Sequence, residues 1–306
     1  MNRTEKLFTV FVILLVSFTS YIYYIKRNEI KEVLSSFILK FKDSDVTVPY
    51  DLTVNHRIYN YSTVHETDNF KPKNIQDIKN IYYTILNNGW DEFTFYCPKN
   101  YEECANDVRK IINDKEYLSQ INNYVNPYNS YKNINTQVTN DKEIYIKIDK
   151  LYTNEDIKKV NNKLNEIFKE LNINKNNYSL NDIKRLHDYL INNISYDKDY
   201  KDGDETISNK ANGALFNNIA LCSGYSDTFA LMLDMLKIPN FRVSNNEHIW
   251  NVIKFNNEWR HIDVTWDDDE INKNNIYNFY YLTTDELIET DKDLHAFNRD
   301  IYLELK

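Results

Sequence analysis

The chain has 306 residues, of which 42% are hydrophobic, and a formal net charge of −9 at pH 7. This is enough apolar sequence for two modest domains, and an acidic balance without a basic patch argues against nucleic-acid binding. With four glycines in the chain and no paired-histidine motif, nothing indicates a phosphate-binding loop, a metal site or another cofactor.

An uncharged run from Leu7 to Ile25 stands near the start of the chain, with basic residues on both sides. It is long enough to cross the hydrocarbon core as a helix. We therefore predict a transmembrane signal-anchor over residues 1–27, followed by a stalk over residues 28–73. The expected location is the cell membrane, single-pass, with the rest of the chain outside the cell. The alternative is a cleaved signal peptide, which would make the protein secreted.

Residues 74–150 are predicted to form a small α+β module that carries no chemical motif. Apolar residues at helical spacing predict a helix that starts near Ile75 and ends at Gly89. A short strand is expected at Phe93 to Tyr96, and a second helix around Val108. The alternation of apolar and polar residues predicts another strand at residues 144–148.

The chain has three cysteines, Cys97, Cys104 and Cys222. In an oxidising compartment Cys97 and Cys104 could form a disulfide, which would leave Cys222 as the free thiol. The alternative is that both are unpaired thiols, because connectivity does not follow from sequence alone.

Residues 151–306 are predicted to form the second domain, which opens with two amphipathic helices. Thr153 and Ser179 begin them, each with an aspartate three residues later, as in a capping box. His187 and Asp188 are neighbours on the second helix, so we expect them to point in different directions rather than act as a pair. The segment 195–212 reads as a loop that could border a cleft.

Cys222 is predicted to lie at the N-terminus of a helix. After Ser223 and Gly224, apolar residues recur at steps of three and four: Tyr225, Phe229, Met232, Leu233 and Leu236. Unpaired backbone N–H groups and the positive end of the helix dipole favour a thiolate there and supply donors for an oxyanion. The alternative is a buried cysteine that packs as a small apolar residue.

Two segments rich in β-branched and aromatic residues, 248–255 and 258–266, predict a hairpin with Asn256 and Asn257 in the turn. Pairing Phe255 with Glu258 sets the register and makes His248 and Asp263 diagonal neighbours on one face. The carboxylate could then hold the imidazole, whose other nitrogen faces a thiol.

Three sequence blocks resemble the transglutaminase-like superfamily of papain-like thiol enzymes: Cys222-Ser-Gly-Tyr, His248-x-Trp-Asn and Trp259-x-x-x-Asp263-x-Thr-Trp. The lead-in at 186–197 and the closing segment with Tyr280 and His295 are similar as well. The resemblance implies Cys222 as nucleophile, His248 as base and Asp263 as its orienting acid. It also implies an α+β papain-like fold, in which the cysteine helix packs on an antiparallel sheet. Two departures are Ile249, in place of a small residue, and Lys237, in place of a glycine before the next strand.

These observations predict a cysteine enzyme that transfers acyl groups from peptide or glutamine amides through a thioester. Its outcome would be hydrolysis, as in a peptidase or amidase, or protein cross-linking, with wall peptides or surface proteins as expected substrates. The alternative is an inactive surface binding or scaffold protein on the same fold. Oxyanion donors or cleft-lining residues are expected among a further set: Asn217, Asn218, Gly224, Tyr225, Trp250 and His261.

Overall fold

Three helices and a three-stranded sheet make up residues 74–150 in the computed structural model, which describes residues 70–140, 142–201, 206–268 and 277–305. The helices are α1 (Ile75–Asn87), α2 (Cys104–Asn113) and α3 (Lys115–Asn123). The strands are β1 (Glu92–Tyr96), β2 (Tyr131–Thr139) and β3 (Glu143–Lys150), arranged antiparallel in the order β1-β3-β2. The predicted anchor and stalk, up to residue 69, lie outside the described residues. Within the described ranges, no helix is both long and apolar enough to span a bilayer.

The predicted start and end of α1 are confirmed. Asn74 accepts a hydrogen bond from the Asp77 N–H and caps the helix. Gly89 follows the helix with φ of 61°, a conformation that glycine adopts without strain. A disulfide joins Cys97, after β1, to Cys104 at the start of α2, with the Cα atoms 5.6 Å apart.

Two long helices follow, α4 (Asn154–Glu170) and α5 (Leu180–Asn193), and each begins with the predicted capping box. In the first box Thr153 and Asp156 each accept the other's backbone N–H with a side-chain oxygen. In the second, Asp182 Oδ2 accepts the Ser179 N–H, and the Asp182 N–H donates to the Ser179 carbonyl oxygen. One face of each helix is buried in the core, as the periodicity predicts: Val160, Leu164, Ile167, Phe168, Ile183, Leu186 and Leu190.

The helix that begins at the free cysteine packs on an antiparallel sheet. Two short parallel strands, β4 (Ser195–Tyr196) and β5 (Ile219–Ala220), lead into α6 (Cys222–Met235). The sheet contains β6 (Asn240–Ser244), β7 (Ile249–Phe255), β8 (Glu258–Ile262) and β9 (Tyr280–Leu282), in that order. α6 packs against β6 and β7. The described chain is therefore a mixed α/β fold whose two larger sheets are antiparallel.

The predicted register of the hairpin is confirmed, but its second strand is shorter than predicted. Phe255 pairs with Glu258, and Asn256 and Asn257 both have positive φ, as a two-residue type I′ turn requires. β8 stops at Ile262, because Asp263 caps the short helix α7 (Val264–Asp267) instead of continuing the strand. Two further short helices, α8 (Thr284–Thr290) and α9 (Lys292–His295), follow β9.

A buried ion pair holds the first part of the chain against α6. Arg242 on β6 pairs with Asp227 on α6, and both side chains are almost fully buried. The Arg242 guanidinium also donates to the backbone oxygens of Asn122 and Val125 and to the Ser130 hydroxyl. Residues from the predicted N-terminal module thus take part in fixing the helix that carries Cys222.

Candidate active site

Cys222 is the first residue of α6, as predicted, and the free cysteine of the chain. Leu221 before it is extended and provides no side-chain cap. The backbone N–H groups of Cys222 and Ser223 have no acceptor among the described residues. Cys222 is partly exposed rather than buried as a small apolar residue of the core. The thiol therefore lies at a helix N-terminus with two free donors beside it.

Gly224, expected among the oxyanion or cleft-lining residues, is buried and serves packing. A Cβ atom at this position would stand 2.3 Å from the Ser208 carbonyl oxygen. The same carbonyl accepts the Leu221 N–H at 2.8 Å, which ties the segment around Ser208 to the start of α6. Only glycine allows this close approach.

His248 precedes β7 and is held on two sides. Its backbone N–H donates to the side chain of Asn245 at 2.9 Å. Its ring Nε2 lies 2.5 Å from Asp263 Oδ2, the distance of a short charge-assisted hydrogen bond. Cys222 lies close enough to the ring to contribute to the rise of its pKa. The structure thus brings the three predicted residues together, with the imidazole bonded to the carboxylate and close to the thiol.

Asp263 reaches His248 in a different way from the one predicted. It has left the strand and is the N-cap of α7, where Oδ1 accepts the N–H groups of Thr265 and Trp266 at 3.0 and 3.2 Å. This leaves Oδ2 for His248. Capping thus orients the carboxylate, because two backbone donors fix one oxygen and direct the other toward the imidazole.

The electrostatics of the pair favour a charged imidazole. Burial lowers the pKa of His248, but the charge and hydrogen bond of Asp263, with a smaller contribution from Cys222, outweigh burial and raise that pKa to about 10. For Asp263, burial acts to raise the pKa, yet the charge and hydrogen bond of His248 bring it well below its usual range. At neutral pH the pair is therefore an imidazolium and a carboxylate.

Three of the residues predicted to line a cleft are buried instead. Tyr225 is fully buried and its hydroxyl bonds to Asp268. Trp250 stacks on the His248 ring, with centroids 5.7 Å apart, and donates its Nε1–H to His261 Nδ1 at 3.0 Å. Burial is the main reason that the pKa of His261 is lowered to about 3, which agrees with a neutral ring that accepts this bond. Trp250 thus packs on the imidazole of His248, and a hydrogen bond from Trp250 to His261 fixes the indole ring.

The two asparagines proposed as oxyanion donors are exposed. Asn217 ends a single π-helical turn and Asn218 follows it in the left-handed conformation, with φ of 56°. The Asn218 carbonyl accepts the Ser195 N–H at 3.0 Å. No hydrogen bond joins either residue to Cys222 within the described ranges, so the N–H groups of α6 are the better oxyanion donors.

The sequence motifs assign no role at the site to His295. Its Nε2 lies 2.9 Å from Asp263 Oδ2, so two histidines share one carboxylate oxygen. A second buried pair, His187 Nε2 and Asp267 Oδ2 at 3.0 Å, lies on α5 and α7. His187 also contacts Asp188 at 3.2 Å, which corrects the expectation that these neighbours cannot pair. A buried histidine needs a polar partner, and this requirement is the signal that could have indicated both histidine–aspartate pairs.

The same cluster contains groups that metals bind. One ligand atom each from His248, Asp263 and His295 lies within 4.8 Å of the others. The nitrogen-to-oxygen distances of 2.5 and 2.9 Å, however, are those of charge-assisted hydrogen bonds with a proton on each Nε2. A metal would have to displace both protons. The geometry therefore fits a proton-bearing cluster better than a metal centre.

Exposed aromatic rings lie next to the site. Trp266 is 41% exposed and its ring centroid is 6.1 Å from that of His248. Tyr196 is 38% exposed and close enough to Cys222 for the thiolate charge to raise the pKa of its phenol, after the effect of burial. Such rings offer an apolar surface to a substrate.

One part of the chain is similar to a known protein family. Residues 168–264 match the model of the transglutaminase-like superfamily, and this segment contains Cys222, His248 and Asp263. No curated protein matches the chain. Two solved structures are similar: a crystal structure of a TGase and a protein from Cytophaga hutchinsonii described as a candidate cysteine protease. They share 17% and 11% sequence identity with the chain, with TM-scores of 0.33 and 0.28. The alignments cover 44% of this chain in both cases and 44% and 61% of the other chains, less than two thirds of either.

Proposed function

We propose that the chain is a cysteine enzyme that transfers acyl groups from amides. The observation that carries the proposal is the proximity of Cys222, His248 and Asp263, with the imidazole held 2.5 Å from the carboxylate and close enough to the thiol for Cys222 to affect its pKa. Each group has the property that its role needs: a thiol at a helix N-terminus, a protonated imidazole and an acid that is ionised at neutral pH. The match to the transglutaminase-like superfamily supports the same chemistry.

The reaction follows from the positions of these groups. The Cys222 thiolate attacks an amide carbonyl carbon, a C–S bond forms, and the oxygen becomes an oxyanion near the N–H groups of Cys222 and Ser223. His248 then gives its proton to the amide nitrogen as the C–N bond breaks, which leaves a thioester and a free amine. Neutral His248 next takes a proton from water or a second amine, which attacks the thioester. The C–S bond breaks and the thiolate returns.

We further propose peptide or protein substrates at the cell surface. Support for an extended chain as substrate comes from the exposed rings of Trp266 and Tyr196 beside the reacting groups. Support for an exported protein comes from the uncharged run at residues 7–25 and from the disulfide between Cys97 and Cys104. The membrane anchor, and wall peptides or surface proteins as substrates, belong to this proposal.

Alkylation of Cys222 tests the catalytic proposal without a known substrate. Because Cys97 and Cys104 are joined, iodoacetamide reports on Cys222 alone in the unreduced full-length protein. We expect alkylation at pH 7 to be at least about tenfold faster than for a free thiol, and to slow by a similar factor in His248→Ala, since the imidazolium stabilises the thiolate.

His187→Ala is the matched control, because it removes another buried histidine that pairs with a different aspartate, Asp267. It should leave the rate unchanged once folding is verified. If Cys222 reacts like a free thiol and His248→Ala makes no difference, the enzyme proposal is wrong and a binding or scaffold role remains.

A second experiment decides the fate of the thioester. A fluorescent primary amine is offered with a glutamine-containing protein, and amine incorporation is compared with the release of new peptide termini. Incorporation identifies a cross-linking transglutaminase, whereas new termini identify a peptidase. Cys222→Ala must abolish whichever product is seen.

A further inference from the structure

We propose that His295 is a positioning residue that fixes Asp263 for its work on His248. It is a fourth member of the catalytic cluster, added to the three that the sequence motifs identify. This inference rests on the proposed function. It names the group that keeps the orienting carboxylate in place, 32 residues further along the chain.

Asp263 has its full set of hydrogen-bond donors only when His295 is counted. Two backbone N–H groups bind Oδ1, at 3.0 and 3.2 Å. Two imidazole Nε2 atoms bind Oδ2, His248 at 2.5 Å and His295 at 2.9 Å. The two imidazole planes are nearly perpendicular, at 85°. Without His295, one imidazole alone would hold this oxygen, and the carboxylate could follow His248 rather than direct it.

His295 is itself held rigidly, as a positioning role requires. It is completely buried, at the end of α9. Its ring stacks on Phe279, with centroids 4.9 Å apart and planes 20° apart, and meets the edge or face of Trp250 at 5.0 Å. Asp291, which caps α9, places a carboxylate oxygen 3.6 Å from Nδ1. The ring therefore has one orientation, with Nε2 toward Asp263.

The tautomer follows from the partner. Asp263 is ionised, because the charges and hydrogen bonds of the two histidines lower its pKa against the effect of burial. A carboxylate only accepts, so the proton of the bond must sit on His295 Nε2. His295 is thus a fixed donor toward Asp263. It has no part in proton transfer to the substrate, which belongs to His248.

Two substitutions separate donation from packing. His295→Phe keeps the ring and its stacking but removes the donor, whereas His295→Gln loses the ring but can place an amide N–H near the position of Nε2. If His295 acts as a donor, alkylation of Cys222 by iodoacetamide should slow by about tenfold or more in the phenylalanine variant, because misplaced catalytic groups are costly. The glutamine variant should recover most of the rate, although we expect it to be the less stable of the two.

The outcomes are distinct. A phenylalanine variant that reacts as fast as the wild type, or a glutamine variant as slow as the phenylalanine one, overturns the role of His295. The wild type and His248→Ala are measured alongside. If these two react equally slowly, the proposed function itself fails and the role of His295 falls with it. Thermal unfolding of each variant shows that the rates refer to folded protein.

Discussion

The charge of His248 depends chiefly on Asp263, so Asp263→Asn should lower the pKa of this histidine. The pKa rises from an ordinary value of 6.5 to about 10 in the wild type. At about 1.4 kcal/mol for each pKa unit, the surroundings favour the imidazolium by on the order of 5 kcal/mol. Among the causes that raise the pKa, the charge of Asp263 is the largest, and the burial that lowers it does not change in the variant.

In Asp263→Asn the pKa of His248 should therefore fall by roughly three units or more, to a value below 7. The measurement is an NMR titration of the full-length protein with histidine labelled at Cε1, from pH 5 to pH 10.5. His248→Gln assigns the resonance. Asp267→Asn is the matched control, because it neutralises another buried aspartate that binds a histidine, His187, and should leave His248 unchanged.

The same shift predicts a loss of stability in alkaline solution. A histidine whose pKa is higher in the folded than in the unfolded protein contributes stability that is complete below pH 6.5 and disappears as the pH rises toward 10. The wild type should lose free energy of unfolding between pH 6.5 and pH 9.5, measured by urea denaturation, and Asp263→Asn should lose less. A wild-type His248 that titrates below pH 7, or a titration that Asp263→Asn leaves in place, would refute the ion-pair reasoning.

Two further predictions concern stability. Lys237 adopts φ of 58° after the end of α6, where Lys237 and Ile238 donate to Asp234 and Leu233 in a Schellman motif. Lys237→Gly should therefore raise the free energy of unfolding by about 1 kcal/mol, while Lys237→Ala should not, and equal effects of the two would contradict the role of the backbone angle. Asp227→Asn would leave the buried Arg242 without its counter-charge and should cost about 3 kcal/mol or more in urea denaturation. A loss below about 1 kcal/mol would show that the pair is dispensable.

The hairpin and the cysteine helix could be predicted because local rules define them. Alternation with period two, a two-residue turn of asparagines and the apolar spacing after Cys222 each fix an element within a few residues. The end of β8 could not be predicted in this way. Val264 and Thr265 are typical of strands, and the aspartate before them is typical of a helix cap, so both continuations fit the same letters. Tertiary packing favours the helix, and the capping bonds then orient Asp263 toward His248.

Other features could not be predicted because contacts between distant parts of the chain determine the environment of the residues. β2 was missed because most of its side chains are polar and it lies at the edge of its sheet, with Ile134 and Val138 as its few apolar residues. Trp250 and His261 were expected at a cleft because the hairpin alone does not show which face is covered. Segments far along the chain cover one face of the hairpin, among them the segment that carries His295. No local sequence pattern indicates these contacts.

The buried ion pair behind α6 gives residues 74–150 a part in the site, although they contain no chemical motif. Asp227 lies on the helix that begins at Cys222, and its two oxygens bind Arg242 and the Tyr152 hydroxyl. Arg242 in turn donates to the backbone oxygens of Asn122 and Val125. A charge this deeply buried is stable only with its partners in place. The position of the helix, and with it the thiol, therefore depends on bonds that cross the predicted boundary at residue 150, and residues 151–306 alone would leave Arg242 without several of its acceptors.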